Sequence, residues 1–403
     1  MKTATTAAIS TLCVLTGAGA AGSAAAQSGL VGWTADFEDR ARSRGYDAAL
    51  VDSLFVDGAP ANETAIRQSQ NQPEFVRPVW DYLDSAISDR RVADGRGRIA
   101  ANGKLLEAIE QRYGVDRHVL VSIWGLESAY GEVQGDNDTP TALATLGWSG
   151  WRTDFVRGEL FAILDMLRDG EARRDQLRGS WAGAMGQTQF MPTSYRRFAQ
   201  DWNEDGLKDI WADEGDALAS AAHYLAEAGW IPGLPPAVEV HLPEGFDWGA
   251  SETPRPVRQW LMEGAQRADH APWRSEDVER GASLFAPAGA AGPAFLTTEN
   301  FRVIRAYNNS SSYALAVSML ANRLAGGRGV IGQWPRTEPR MSVDDAEALQ
   351  AGLTAAGYDT QGVDGVIGPN TRAAIRAFQT DNGLTPDGAV SADLLARVRA
   401  AAE

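Results

Sequence analysis

The chain is poor in the residues that several large enzyme classes depend on. Of its 403 residues one is a cysteine, Cys13, and four are histidines. A single cysteine excludes a disulfide framework. The histidines, His118, His223, His241 and His270, show no zinc spacing and have no paired cysteines beside them, which argues against a zinc hydrolase. Positive charge is scarce as well. Lys and Arg total 37 against 53 Asp and Glu, a formal net charge of −16, and no basic cluster offsets it, so binding to nucleic acid or to an anionic membrane surface is disfavoured. No Gly-x-Ser-x-Gly elbow or phosphate-binding glycine loop occurs. After the first residues no stretch reaches the roughly 18 consecutive apolar residues of a membrane helix. A neutral polymer such as a glycan remains compatible with this composition.

Residues 1–26 read as a secretory leader. Lys2 gives a positive start, Ala7 to Leu15 an apolar run, and Ala24-Ala25-Ala26 a small-residue end. The mature chain would begin near Gln27, and Cys13 would leave with the leader. Ser10-Thr11-Leu12 before that cysteine is not a lipoprotein cleavage box, so the expectation is a soluble, exported protein rather than a lipid-anchored one.

The remaining pattern is mainly helical. Phe37, Ala41, Leu50, Leu54 and Phe55 mark buried positions between Gly32 and Gln70, followed by a polar stretch from Asn62 to Asn71. Leu105, Leu106 and Ile109 share one face of a helix that Gly114 closes, and Asp116 can cap the next helix. Further helices are expected over Arg157–Leu167, Asp216–Ala228 and Asn300–Leu324, the last interrupted at Tyr307-Asn308-Asn309-Ser310. Residues 179–195 crowd small residues, Gln187, Gln189 and a proline too closely for one regular element. Val238 to Leu242 alternates as a strand does, within a mixed α/β insertion over about residues 235–293. Residues 326–340 lack periodicity and read as a linker, and residues 341–403 fit three short helices. The domains are thus a body over residues 27–325 and a terminal module over 341–403.

The candidate for chemistry lies in Val119 to Gly131. Leu120, Ile123, Trp124 and Glu127 fall at helical spacing, so the face that buries three apolar side chains also carries a carboxylate. Partial desolvation there would favour its protonated form, which suits a general acid. The same residue can equally be read as the solvated end of a helix. Trp124, Trp148, Trp151 and Trp181 offer ring faces for sugars, or simply fill a core. Asp201, Asn203, Asp205, Leu207 and Asp209 occupy positions 1, 3, 5, 7 and 9 of a calcium-type loop with Gly206 at the sharp turn. Ala212 stands where the closing glutamate belongs, leaving Asp216 to close a longer loop, or the segment to be a metal-free turn.

Four ordered motifs, GLESAYG at Gly125–Gly131, AGAMGQTQFMPTSY at Ala182–Tyr195, DWNEDGLKDIW at Asp201–Trp211 and YNNSSSYALAV at Tyr307–Val317, resemble the lytic murein transglycosylase B family. The likeness spans roughly Gly32 to Leu324. The segment DGVIGPNTRAAIRAFQ at Asp364–Gln379 resembles the small peptidoglycan-binding domain. The resemblance implies a mainly α, lysozyme-like helical catalytic domain with a small mixed insertion, followed by a three-helix peptidoglycan-binding module. It implies Glu127 as the single catalytic acid/base, followed by Ser128 where relatives often have threonine. It places Ser128, Tyr130, Gly183, Ala184, Met185, Gly186, Gln189, Tyr307, Asn308 and Tyr313 around the glycan, and Asp201, Asn203, Asp205, Leu207 and Asp216 in a candidate structural calcium loop, with no cofactor required for chemistry. The implied reaction cuts the β-1,4 bond between N-acetylmuramic acid and N-acetylglucosamine and leaves 1,6-anhydro ends. The alternatives are a muramidase that uses water and a non-catalytic wall-binding protein. Peptidoglycan strands, and other cell-wall enzymes as further candidates, would be the partners, in the periplasm. No second carboxylate is evident, though Glu132, Asp136 and Asp138 are close in sequence.

Overall fold

The computed structural model describes residues 20–56, 58–70, 78–248, 253–337 and 341–402. The expected leader therefore lies outside the described residues as far as residue 19, Cys13 included.

Seventeen α-helices run through the described residues, with two small antiparallel sheets between them. The central element is the helix Arg117–Ser128. Asp116 caps its start by accepting from His118 N at 2.7 Å, which satisfies one of the donors every helix start leaves over. Leu120, Ile123 and Trp124 are wholly buried, at about 1.5–3 kcal/mol of burial free energy each. The helix before it, Gly103–Tyr113, ends at Gly114 with φ +71, as its sequence predicts. Ser311–Leu324 lies along the central helix, and Glu214–Glu227 packs against it from another side.

A second core gathers around Thr139–Trp148 and Thr153–Arg168, with Phe37, Leu54 and Tyr195 inside it. Tyr224 and Tyr307 pack against both cores. The short sheet Asn137–Asp138 with Arg178–Gly179 brings the loop after the central helix beside the glycine-rich segment. The expected polar stretch from Asn62 contains the helix Glu63–Gln70.

The insertion holds five antiparallel strands in the spatial order Arg255–Pro256, Gly281–Phe285, Ala294–Thr298, Ala237–His241 and Gln266–Arg267. Its third strand in space lies beyond residue 293, past the edge expected from sequence. The chain after Leu324 is tied down as far as residue 337. Glu239 accepts from Ile331 N and Gly332 N, both at 2.6 Å. Trp334 rests against Trp80 and Phe295, and Arg336 pairs through two nitrogens with Asp84. The terminal helices Val343–Ala355, Pro369–Asp381 and Ala392–Ala402 enclose a core of Leu349, Leu353, Ile375, Phe378 and Leu395. The Asp387 carboxylate reaches the body by accepting from Ala290 N at 2.9 Å.

Candidate active site

Glu127 stands in the last turn of the central helix, half-buried beside the fully buried Ser128. The chain leaves that turn through three successive left-handed residues, Ala129 at φ 51, Tyr130 at φ 63 and Gly131 at φ 87. Two of these are not glycine, a conformation that L-residues adopt only when surrounding structure holds them. The holding groups are visible. Ser128 Oγ donates to the Gln187 carbonyl at 2.5 Å and accepts from Gly131 N at 2.9 Å, while Tyr130 Oη donates to the Arg91 carbonyl at 2.6 Å.

One oxygen of Glu127 accepts a hydrogen bond from Tyr313 Oη at 2.6 Å. Tyr313 comes from the first turn of the neighbouring helix Ser311–Leu324, whose start Ser310 caps, so the two partners are 186 residues apart in sequence. Burial, and then the Glu127 charge, push the Tyr313 phenol well above the ordinary tyrosine range. Tyr313 consequently keeps its proton and stays a donor. Tyr307 closes the end of Glu299–Tyr307 and donates to the Thr188 carbonyl; burial and then the Glu127 charge raise its phenol as well. Asn308 follows at the end of that helix, its N–H donating to the Ile304 carbonyl at 3.0 Å.

The segment Gly183 to Gln189 meets the acid helix through Gln187 and Tyr307 through the Thr188 carbonyl. Met185 and Phe190 exchange two backbone hydrogen bonds, at 2.8 and 2.9 Å, which fold the segment into a tight loop. Gly183 and Gly186 take φ 90 and 72, and a Cβ on Gly186 would come within 2.7 Å of the Ile210 carbonyl. Ala184 O accepts from Ser180 N at 2.8 Å. Gln189, itself left-handed at φ 52, donates its amide to the Gln134 and Gly186 carbonyls.

Sequence residues suspected of a role thus separate. Glu127, Tyr307, Tyr313 and the 183–189 segment come together. Ser128 and Tyr130 are buried, with hydroxyls engaged by backbone. Trp124 is no stacking platform: it is wholly buried and its indole donates to Gln187 Oε1 at 3.0 Å. The acids close in sequence have other surroundings. Glu132 faces Arg98 at 3.7 Å, Asp138 pairs with Arg174 at 2.6 Å, and Asp136 is exposed. Tyr82 and Gln187 were not singled out from sequence. Tyr82 lies on the helix Val79–Ala86, which packs against the helix that carries Tyr313 and has no recognisable motif.

The Asp201–Asp216 segment is held by hydrogen bonds from its own backbone to its acidic and amide side chains. Asp201 accepts from Asp205 N and Gly206 N, Asn203 from Asp205 N, and Asp205 from Leu207 N, at 2.8–3.1 Å. Asp216, wholly buried, accepts from Trp202 N and Asp209 N at 2.7 Å each. Burial raises its carboxyl while those two N–H groups lower it, and burial prevails. Among the described residues no three acidic, histidine or cysteine side chains converge as a metal site. Asp216 joins the two arms of the loop through these two hydrogen bonds. These hydrogen bonds are those of an Asx-rich turn.

Comparison with known proteins bears on this geometry. Residues 30–322 match the family model described as the transglycosylase SLT domain, and residues 342–398 that of a peptidoglycan-binding domain. Membrane-bound lytic murein transglycosylase B of Escherichia coli strain K12 is 35% identical over 222 residues, 53% of this chain and 58% of that protein's length. The crystal structure of SltB3 from Pseudomonas aeruginosa in complex with NAG-anhNAM-pentapeptide is similar at 43% identity and a TM-score of 0.88, over 92% of this chain and 99% of that one. The Escherichia coli lytic transglycosylase Slt35 in complex with calcium is similar at 29% identity and a TM-score of 0.61, over 73% of this chain and 92% of that one. With a family model covering most of its length around Glu127, the chain belongs to the transglycosylase SLT domain family.

Proposed function

We propose that this chain is a lytic transglycosylase that cleaves the β-1,4 bond between N-acetylmuramic acid and N-acetylglucosamine in peptidoglycan and leaves 1,6-anhydro ends. The observation that carries the reading is the carboxyl of Glu127, held at one oxygen by the Tyr313 phenol, while of the acids near it in sequence Asp138 is paired with Arg174 and Glu132 and Asp136 are exposed. Ordinary retaining and inverting glycosidases place two carboxyl groups across the bond.

In the proposed reaction the Glu127 carboxyl gives its proton to the glycosidic oxygen as the bond to muramic acid C1 breaks. The resulting carboxylate then takes the proton of the same sugar's C6 hydroxyl, and that oxygen bonds to C1. One proton leaves Glu127 and one returns, so no water is consumed. Tyr313 keeps the carboxyl oriented through both steps, because its phenol remains a donor whether Glu127 is charged or neutral. Of the residues expected around the glycan, the partly exposed Ala184 and Gln189 would line it, with Tyr307 and Asn308 near the acid, whereas Met185 is wholly buried in the second core and, with the buried Gly183 and Gly186, would only shape the loop. The fixed loop supplies backbone surface close to the sugar at little entropic cost.

The assignment of residues 27–325 as catalytic domain, 326–340 as linker and 341–403 as wall-binding module belongs to the same reading. So does export to the periplasm behind the leader, in a chain whose described helices include none long and apolar enough to cross a membrane. The relative solved with calcium notwithstanding, no step of this chemistry needs an ion.

Mass spectrometry of muropeptides released from purified peptidoglycan tests the reading. Products lighter by one water than reducing-end muropeptides are expected; reducing ends alone would identify a muramidase, and no release a wall-binding protein.

A further inference from the structure

Gln187 touches the acid helix on both sides of Glu127. Its side chain is buried, 4% exposed, and Oε1 accepts from Trp124 Nε1 at 3.0 Å. Trp124 lies one helical turn before Glu127 and has no contact with solvent. The Gln187 carbonyl accepts from Ser128 Oγ, on the residue after Glu127, at 2.5 Å. Its own N–H donates to the Ile210 carbonyl at 2.9 Å, so the residue is anchored to a third segment outside the acid helix. The same amide fills the space over Gly131, where a Cβ would approach Oε1 to 2.6 Å. The next residue, Thr188, accepts from Tyr307 Oη.

We propose that Gln187 is a positioning residue for Glu127. Its amide oxygen through Trp124, and its carbonyl through Ser128, set the angle of the last helical turn and hence where the carboxyl meets the glycosidic oxygen. The inference rests on Glu127 being the acid. The carbonyl bond survives any side-chain change, so the part of the claim specific to glutamine is the amide–indole bond. Without its acceptor the buried indole N–H must rotate or draw in water, and either displaces a helix whose other end is fixed by its cap. Acid catalysis is sensitive to displacements of about 1 Å.

The test uses the full chain and soluble glycan oligomers, comparing Gln187→Met, which keeps length and removes the acceptor, with Trp124→Phe, which keeps an aromatic side chain, though a smaller one, and removes the indole donor, and with the double variant. Each single change is expected to lower kcat about 10- to 100-fold with KM within about twofold. The double variant is expected to be no worse than the poorer single, as two ends of one bond should be. A folded Gln187→Met with kcat within about twofold of the parent, a loss confined to KM, or losses that multiply in the double variant would overturn the proposal. Should Gln187→Met not fold, Trp124→Phe probes the same bond from the donor side, and a kcat within about twofold of the parent there overturns the proposal equally. Glu127→Gln, run alongside, separates the two levels: normal turnover there removes the acid assignment itself, whereas an inactive Glu127→Gln beside a fully active Gln187→Met removes only the positioning role.

Discussion

Two carboxylates of this chain lie at opposite ends of helices, Glu127 in the last turn of Arg117–Ser128 and Asp216 in the first turn of Glu214–Glu227, and they end in different surroundings. Asp216 is wholly buried, and its two oxygens accept from Trp202 N and Asp209 N. Glu127 is half-buried and is met by the hydroxyl of a side chain from another helix, Tyr313. A carboxylate fixed to two main-chain N–H groups is part of the scaffold, since giving up its charge would weaken the bonds that shape the loop. A carboxylate met by a phenol can gain and lose a proton with that partner in place. The distinction lies in what the oxygens face, and burial alone does not supply it.

The largest effect should come from the residue on the reactive side of that comparison. Glu127→Gln preserves shape and should lower cleavage of soluble glycan by roughly 10³- to 10⁴-fold, at the upper end of what one acid/base contributes, while binding to purified sacculi persists. A pull-down with insoluble peptidoglycan beside a turnover assay measures both, and near-normal turnover would erase the contrast between the two carboxylates.

Next in size is Tyr313→Phe. Removing a hydrogen bond to a charged group costs about 1.5–3 kcal/mol, which corresponds to roughly 10- to 100-fold in rate if the bond persists in the transition state. The loss should appear in kcat, with the melting temperature changed little, because the ring and its packing remain. An equal fall in stability and no change in kcat would make Tyr313 a scaffold residue like those around Asp216.

How far these sites are legible in sequence follows the same division between local and distant contacts. The central helix is readable because its signals are local: Gly114 ending one helix, Asp116 capping the next, and Leu120, Ile123 and Trp124 on one face. The resemblance motifs name Tyr307, Tyr313 and the 183–189 loop, but not that Ser128 and Tyr130 turn inward or that Gln187 grips the indole of Trp124. Asp89–Ala101 escapes a pattern reading because it carries Gly95 and Gly97 and four arginines. Gly95 is there for close approach: a Cβ would come within 2.5 Å of Tyr130 Oη and 2.8 Å of Leu324, neither of them nearby in sequence. The linker looks featureless for the same reason. Its anchors, Trp80, Asp84 and Glu239, lie far back in the chain.

On the scaffold side, Asp216→Asn retains one acceptor but turns an NH₂ toward one of two backbone donors. The expected cost is about 1–3 kcal/mol, or several degrees of melting temperature in a protein of this size, with kcat on soluble glycan nearly unchanged in the folded fraction. A large kcat loss at unaltered stability would show that the loop communicates with the acid.

The smallest effect expected is that of calcium. A loop whose carboxylates already serve backbone N–H groups, and in which no three acids converge among the described residues, should hold the ion weakly. If the dissociation constant is near 1 mM, then 1 mM calcium adds only about 0.4 kcal/mol to stability, a rise of about 0.5 °C. Chelation should leave the rate of glycan cleavage unchanged. Thermal melts in chelator and in 1 mM calcium, for the parent and for Asp216→Asn, make the comparison. A rise well beyond this that disappears in Asp216→Asn would mean that Asp216 turns from its two backbone donors to an ion, and that its hydrogen bonds are the resting form of a metal site.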